Sequence, residues 1–205
     1  MVGDKIIKVC GMRSGDNIRA VEALGVDLMG FIFFAKSPRN VVLRPDYMPS
    51  KCRKVGVFVN EREEIIAQKI VEFDLDVVQL HGCETPEFCD SIRRSGVEVF
   101  KAISVATIED ITLTAQYEGH CDILIFDTKC EGHGGSGLQF DWSILDSYEG
   151  ETPFLLSGGI SVESVESIRR FNHPRHIGYD INSRFECEPA LKDVTLIERF
   201  ICELN

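Results

Sequence analysis

The chain lacks any apolar run approaching the ~20 residues that a membrane-spanning helix needs. It also lacks basic residues in excess: 22 Lys and Arg face 33 Asp and Glu, a formal charge of −11. That balance argues against nucleic acid or an anionic membrane as partner, because both need a basic face. Met1-Val2-Gly3-Asp4-Lys5 opens straight into a strand-like run, without the longer apolar segment and cleavage site of a secretory signal. The expected location is therefore the cytoplasm. No Cys-x-x-Cys pair occurs among the eight cysteines, at 10, 52, 83, 89, 121, 130, 187 and 202, so neither a zinc ribbon nor a thioredoxin-like motif is supported. Most of these thiols are expected to be reduced, buried small hydrophobes. The histidines beyond His81, at 120, 133, 173 and 176, give neither a catalytic triad nor metal-ligand spacing.

What is present is alternation. Short runs rich in Val, Ile, Leu or Phe recur at Ile6–Cys10, Leu28–Phe34, Lys54–Val59, Val77–His81, Val99–Ser104, Ile123–Asp127, Phe154–Ser157 and Ile177–Ile181. Continuous apolar runs of this length suit strands buried on both faces, as in parallel sheets. Amphipathic stretches lie between them: Asn17–Leu24 stopped by Gly25, Glu61–Phe73, a helix opened by Thr85-Pro86 and ended by Gly96, Ile108–Tyr117, Asp141–Tyr148, Val162–Phe171 and Asp193–Leu204. The segment after the second strand carries Pro38, Pro45 and Pro49, so any helix there should be short or irregular. Eight strands alternating with about eight helices give two options, an open doubly wound sheet or a closed barrel. The open sheet usually carries Gly-x-Gly-x-x-Gly after its first strand, where this chain reads Cys10-Gly11-Met12-Arg13. The reading is one α/β domain over residues 1–205, a (βα)8 TIM barrel without clear internal self-similarity.

In such a barrel, catalytic groups sit at the C-terminal ends of strands. Polar residues at those ends are Cys10, His81, Asp127, Ser157 and the Asp180–Ser183 segment. Alternation puts Lys8 on the same strand face as Cys10, one layer below, where an ammonium would favour thiolate. The same pattern fits a structural Cys above an interior Lys paired to a carboxylate. Asp127 follows four apolar residues and must be paired, solvated in a cleft or raised in pKa, which suits a general acid. A structural Asp capping the next loop is the alternative. Two Gly-rich loops follow late strands. Gly158-Gly159, with Ser161 as an N-cap, stands where this fold commonly binds phosphate. Gly132-His133-Gly134-Gly135-Ser136-Gly137 reads as a lid or as a plain surface turn.

Taken in order, these residues resemble the phosphoribosylanthranilate isomerase family over nearly the whole chain. The motifs are Lys8-Val9-Cys10-Gly11-Met12-Arg13, Lys36-Ser37-Pro38-Arg39, Val55–Asn60, Val78-Gln79-Leu80-His81-Gly82, Phe126-Asp127-Thr128 with Gly134–Gly137 and Phe140-Asp141-Trp142, Ser157-Gly158-Gly159-Ile160, and Asp180 with Glu186 and Lys192-Asp193. The resemblance implies an Amadori rearrangement of a phosphorylated small-molecule substrate in tryptophan biosynthesis, without metal or organic cofactor. It makes Cys10 the general base and Asp127 the general acid. It gives Arg39 the anthranilate carboxylate, and Gly158, Gly159, Asn182 and Ser183 the phosphate. His81 and Asp180 become further pocket residues. The partner expectation is a small molecule only, with the chain a monomer or homodimer. One position departs from the pattern: many family members have Ser-Ser-Gly where this chain has Asn182-Ser183-Arg184. A backbone needing positive φ would tolerate Arg184 poorly, whereas a helical first turn would accept it. The rival readings are the related sugar isomerase of histidine biosynthesis, which typically pairs two aspartates, a metal-dependent ribulose-phosphate epimerase, and an inactive phosphate-binding barrel.

Overall fold

The computed structural model describes residues 5–128 and 141–204. The Gly132–Gly137 loop, singled out above, lies outside the described residues. Eight parallel strands close into a barrel in chain order: β1 Ile6–Cys10, β2 Leu28–Ile32, β3 Arg53–Phe58, β4 Val77–Leu80, β5 Glu98–Val105, β6 Ile123–Thr128, β7 Phe154–Leu156 and β8 His176–Ile181. The expected strands match these to within one or two residues at each end.

Side chains alternate across this sheet. Leu28, Val55, Val57, Val77, Phe100, Ile123, Ile125 and Leu155 form a compact inner group, while Ile7, Val9, Met29, Phe31, Phe126 and Phe154 pack outward under the helices. The outward layer is aromatic around β6 and β7, where Phe126 meets Phe154 edge-on at 4.9 Å and Tyr148 at 5.3 Å. Each fully buried side chain of this size contributes roughly 1.5–3 kcal/mol of transfer free energy.

The helices are α1 Gly15–Glu22, α2 Glu63–Phe73, α3 Pro86–Arg93, α4 Ile108–Thr112, α5 Val165–Arg170 and α6 Val194–Leu204. Thr85 caps α3 as its sequence signals, with Thr85 Oγ1 accepting from Phe88 N at 3.3 Å. Three expected helices are tighter than read. Ile108–Tyr117 continues past Thr112 as a 3-10 turn, Trp142–Ser147 is 3-10 throughout, and α5 is preceded by a 3-10 turn over Val162–Ser164. No helix forms between Phe33 and Cys52, where the prolines lie. A short antiparallel pair, β9 Glu186–Glu188 and β10 Leu191–Lys192, follows β8 and was not anticipated.

Three aspartates tie neighbouring strands together at the base of the barrel. Asp27 accepts from Ile7 N at 2.9 Å, Asp76 from Lys54 N at 2.7 Å and Asp122 from Val99 N at 2.8 Å. Each returns its own N–H to the carbonyl of that same residue. Each carboxylate satisfies the N–H of the second residue of its strand.

The cysteines depart from expectation in burial. The described ones are all free thiols, yet only Cys10, Cys89 and Cys121 are buried, while Cys83, Cys187 and Cys202 are exposed. Burial pushes Cys89 up to about 11 and Cys121 up to about 12, which leaves both inert.

Candidate active site

The register of β1 against its neighbours builds the floor of the site. Lys8 stands opposite Asp180 of β8, and Cys10 opposite Gly30 of β2. Lys8 Nζ donates to Asp180 Oδ1 at 2.8 Å, with both side chains almost wholly removed from solvent. Burial is the largest influence and would lower the Lys8 pKa, but the charges and hydrogen bonds of Asp180 and Cys10 together outweigh it, and the net direction is up. Burial likewise pushes the Asp180 carboxyl up against the pull of Lys8. At 2.8 Å we assign the ionised pair. Lys8 is therefore paired to a carboxylate and not free beneath the thiol. Gly30 makes room for Cys10, since a methyl there would sit 2.7 Å from Cys10 Sγ.

The expected lowering of the Cys10 pKa is corrected. Burial raises the thiol most; Lys8 pulls it down, Asp180 raises it, Lys192 pulls it down, and the net direction is up. A buried thiolate is costly because low dielectric disfavours its charge, and one paired ammonium does not reverse that.

Asp127, at the end of β6, is buried, and its Oδ1 accepts from Thr128 N at 2.9 Å. Its Oδ2 lies 3.2 Å from His81 Nε2, which follows β4. Burial opposes charge on His81, but the hydrogen bond and charge of Asp127 prevail, so its pKa is raised. Gly158 approaches from the β7 loop. It has φ +79°, and a methyl there would fall 2.9 Å from Asp127 Oδ1 and 2.5 Å from Thr128 N. Glycine is thus required twice over, by conformation and by closeness.

These residues share one cleft of about 770 Å³ counted to its open mouth. Cys10, Arg39, His81, Asp127, Gly158, Gly159, Asp180, Asn182 and Ser183 all line it. Gln79 and Ser157, which the sequence reading placed at strand ends without giving them a role, also line it. Gln79 shares the inward face with His81, and its Oε1 is buried without a hydrogen-bond partner among the described residues. Ser183–Phe185 forms a 3-10 turn and Arg184 does not have positive φ. The helical-turn alternative holds, and Arg184 is accommodated without strain.

Arg39 differs most from expectation. Its Nε donates to Glu186 Oε1 and Oε2 at 2.9 and 3.0 Å, and its Nη2 to Oε2 at 2.7 Å. Lys192 Nζ donates to Glu186 Oε1 at 2.6 Å. Glu186 and Lys192 were visible only as motif letters, because their role depends on a contact spanning 147 residues. Among the described residues no group of three or more His, Cys, Asp or Glu side chains is arranged to hold a metal, and no helix is long and apolar enough to cross a membrane.

The cleft therefore combines an acid–imidazole pair, a thiol on a different strand, a guanidinium, and glycine backbone after β7. The model of the family described as N-(5'phosphoribosyl)anthranilate (PRA) isomerase matches residues 7–203. The N-(5'-phosphoribosyl)anthranilate isomerase of Phocaeicola vulgatus is 51% identical over 200 residues, 98% of each chain. The one from Parabacteroides distasonis is 50% identical over 205 residues, 97% of this chain and 93% of that relative. Among solved structures, phosphoribosyl anthranilate isomerase from Thermotoga maritima superposes with a TM-score of 0.83 at 31% identity, over 98% of each chain. A phosphoribosyl anthranilate isomerase in complex with reduced 1-(o-carboxyphenylamino)-1-deoxyribulose 5-phosphate gives 0.80 at 29% identity, again over 98% of each.

Proposed function

The chain belongs to the N-(5'-phosphoribosyl)anthranilate isomerase family, and we propose that its cleft carries out that isomerisation with Cys10 as base and Asp127 as acid. It converts N-(5'-phosphoribosyl)anthranilate to the carboxyphenylamino-deoxyribulose 5-phosphate in tryptophan biosynthesis. The observation that carries the assignment of roles is the common cleft of Cys10, from β1, and Asp127, from β6.

Acid and base must act on different atoms of one sugar, so they belong on different strands. Asp127 gives a proton to the furanose ring oxygen, the C1–O bond opens, and a Schiff base forms. Cys10 thiolate takes the proton from the second sugar carbon, giving an enolamine that tautomerises to the ketose. His81, 3.2 Å from Asp127, holds the acid's proton in reach and resupplies it. Lys8 and Lys192 offset part of the burial that opposes a Cys10 thiolate. Arg39 receives the anthranilate carboxylate, since a guanidinium edge matches a planar carboxylate. Gly158, Gly159 and the Asn182-Ser183 backbone take the phosphate, where N–H groups approach an anion without a side chain in the way. Asp180 acts through Lys8 beneath them.

Ring opening and isomerisation redistribute the substrate's own electrons under acid–base catalysis, so the reading includes no metal or organic cofactor. We assign the activity to one domain over residues 1–205, working in the cytoplasm as a monomer or homodimer. Turnover of purified protein on phosphoribosylanthranilate, followed by loss of its fluorescence, tests the reading. The expected result is turnover there, with far weaker activity on the two-phosphate aminoaldose of histidine biosynthesis. The reverse preference would overturn it.

A further inference from the structure

A carboxylate receptor that is already bound to a carboxylate presents a problem of charge. Glu186 occupies the Nε–Nη2 edge of Arg39, and the Arg39–Glu186 pair by itself is neutral. A neutral, half-used guanidinium has little attraction for a second carboxylate. The side chains are 11% and 4% exposed, so solvent does little to separate the two charges.

Lys192 resolves this. Its ammonium donates to Glu186 Oε1 at 2.6 Å, to Asn182 Oδ1 at 2.7 Å and to Asn182 O at 3.3 Å, with no side-chain exposure. Its backbone is fixed from α1 in both directions: Lys192 N donates to Asn17 Oδ1 at 2.8 Å, and Asn17 Nδ2 donates to Lys192 O at 2.9 Å. The ammonium also lies close to the catalytic strand, 3.4 Å from where a methyl on Gly11 would be. Arg39, Glu186 and Lys192 together carry one net positive charge, enough to neutralise one incoming carboxylate. The Nη1–Nη2 edge of Arg39 is the edge Glu186 leaves for that carboxylate.

We propose that Lys192 is a positioning residue for carboxylate recognition: by neutralising Glu186 it lets Glu186 clamp one edge of Arg39 while the other edge still receives the substrate carboxylate. This rests on the reading of Arg39 given above. The chemical class selected is an N-aryl aminosugar phosphate whose ring bears a carboxylate, as against the same compound without it.

The test is equilibrium binding of two non-reacting probes, which separates recognition from chemistry at Cys10. One probe is reduced 1-(o-carboxyphenylamino)-1-deoxyribulose 5-phosphate; the other is its phenylamino counterpart without the carboxylate. Wild type should prefer the first. Lys192→Met should lose at least about 10-fold of that preference, because binding of the first probe falls by that factor more than binding of the second. Adding Glu186→Gln to Lys192→Met restores the net charge and should recover most of the preference. Glu186→Gln alone, which leaves Lys192 in place should Lys192→Met fail to fold, should keep it. Undiminished preference in Lys192→Met, equal loss for both probes, no recovery in the double variant, or a 10-fold drop in Glu186→Gln would each overturn the proposal. Arg39→Ala distinguishes the two levels: if it keeps the preference, the reading of Arg39 fails and this proposal falls with it.

Discussion

His81 and Asp127 form a unit at the scale of single residues, because a buried imidazolium needs a carboxylate beside it. Their 3.2 Å contact favours imidazolium against the cost of burial. A folded-state pKa above the ordinary 6.5 means that this contact contributes stability fully below about 6.5 and loses it as pH rises through the raised value. His81→Gln should therefore be destabilised relative to wild type at pH 5.5, and the gap should narrow as pH rises above neutrality. Denaturant midpoints measured across that range check this; a gap independent of pH would remove the charged pair. The residue scale is also where the sequence was least legible. Lys8 beneath Cys10 follows from strand alternation, but its pairing with Asp180, 172 positions away, follows only from barrel closure. The expected direction of the Cys10 shift was wrong chiefly because burial, the largest cause, was not counted; the paired-Lys alternative named Lys8's carboxylate partner but not its effect on the thiol.

Single elements are held in register by the aspartates at their N-terminal ends. Asp122 accepts from Val99 N and is reached by Arg93 Nη2 at 3.2 Å. Asp122→Ala should cost about 1–2 kcal/mol, the range for a partly exposed charge-assisted hydrogen bond, without altering the cleft. Urea unfolding with activity measured in parallel tests it; an unchanged midpoint, or lost activity at an unchanged midpoint, would refute it. Strand positions were legible because buried parallel strands announce themselves as apolar runs. Helix type was not. Over Leu113–Tyr117 and Trp142–Ser147 the chain winds tightly in 3-10 turns, a distinction that apolar spacing does not encode. The β9–β10 pair was missed because its members are three and two residues long, too short for any alternation to show.

The whole molecule presents an acidic surface to a substrate bearing phosphate and carboxylate. A formal charge of −11 leaves recognition to local donors within the cleft: the net-positive Arg39–Glu186–Lys192 cluster and the backbone after β7 and β8. Screening favours this arrangement, since exposed charges are attenuated over about 8 Å at physiological salt while buried ones are attenuated less. The barrel brings β1 and β6 to one mouth, where Cys10 and Asp127 share the cleft as the strand-end rule leads one to expect. The most direct measurement is turnover of Cys10→Ala and of Asp127→Asn on phosphoribosylanthranilate, each paired with binding of the reduced product analogue. Loss of turnover by about 100-fold or more in both, the scale of a missing general acid or base, with binding preserved is the predicted result. Near-normal turnover in either variant would contradict the division of labour between these two side chains.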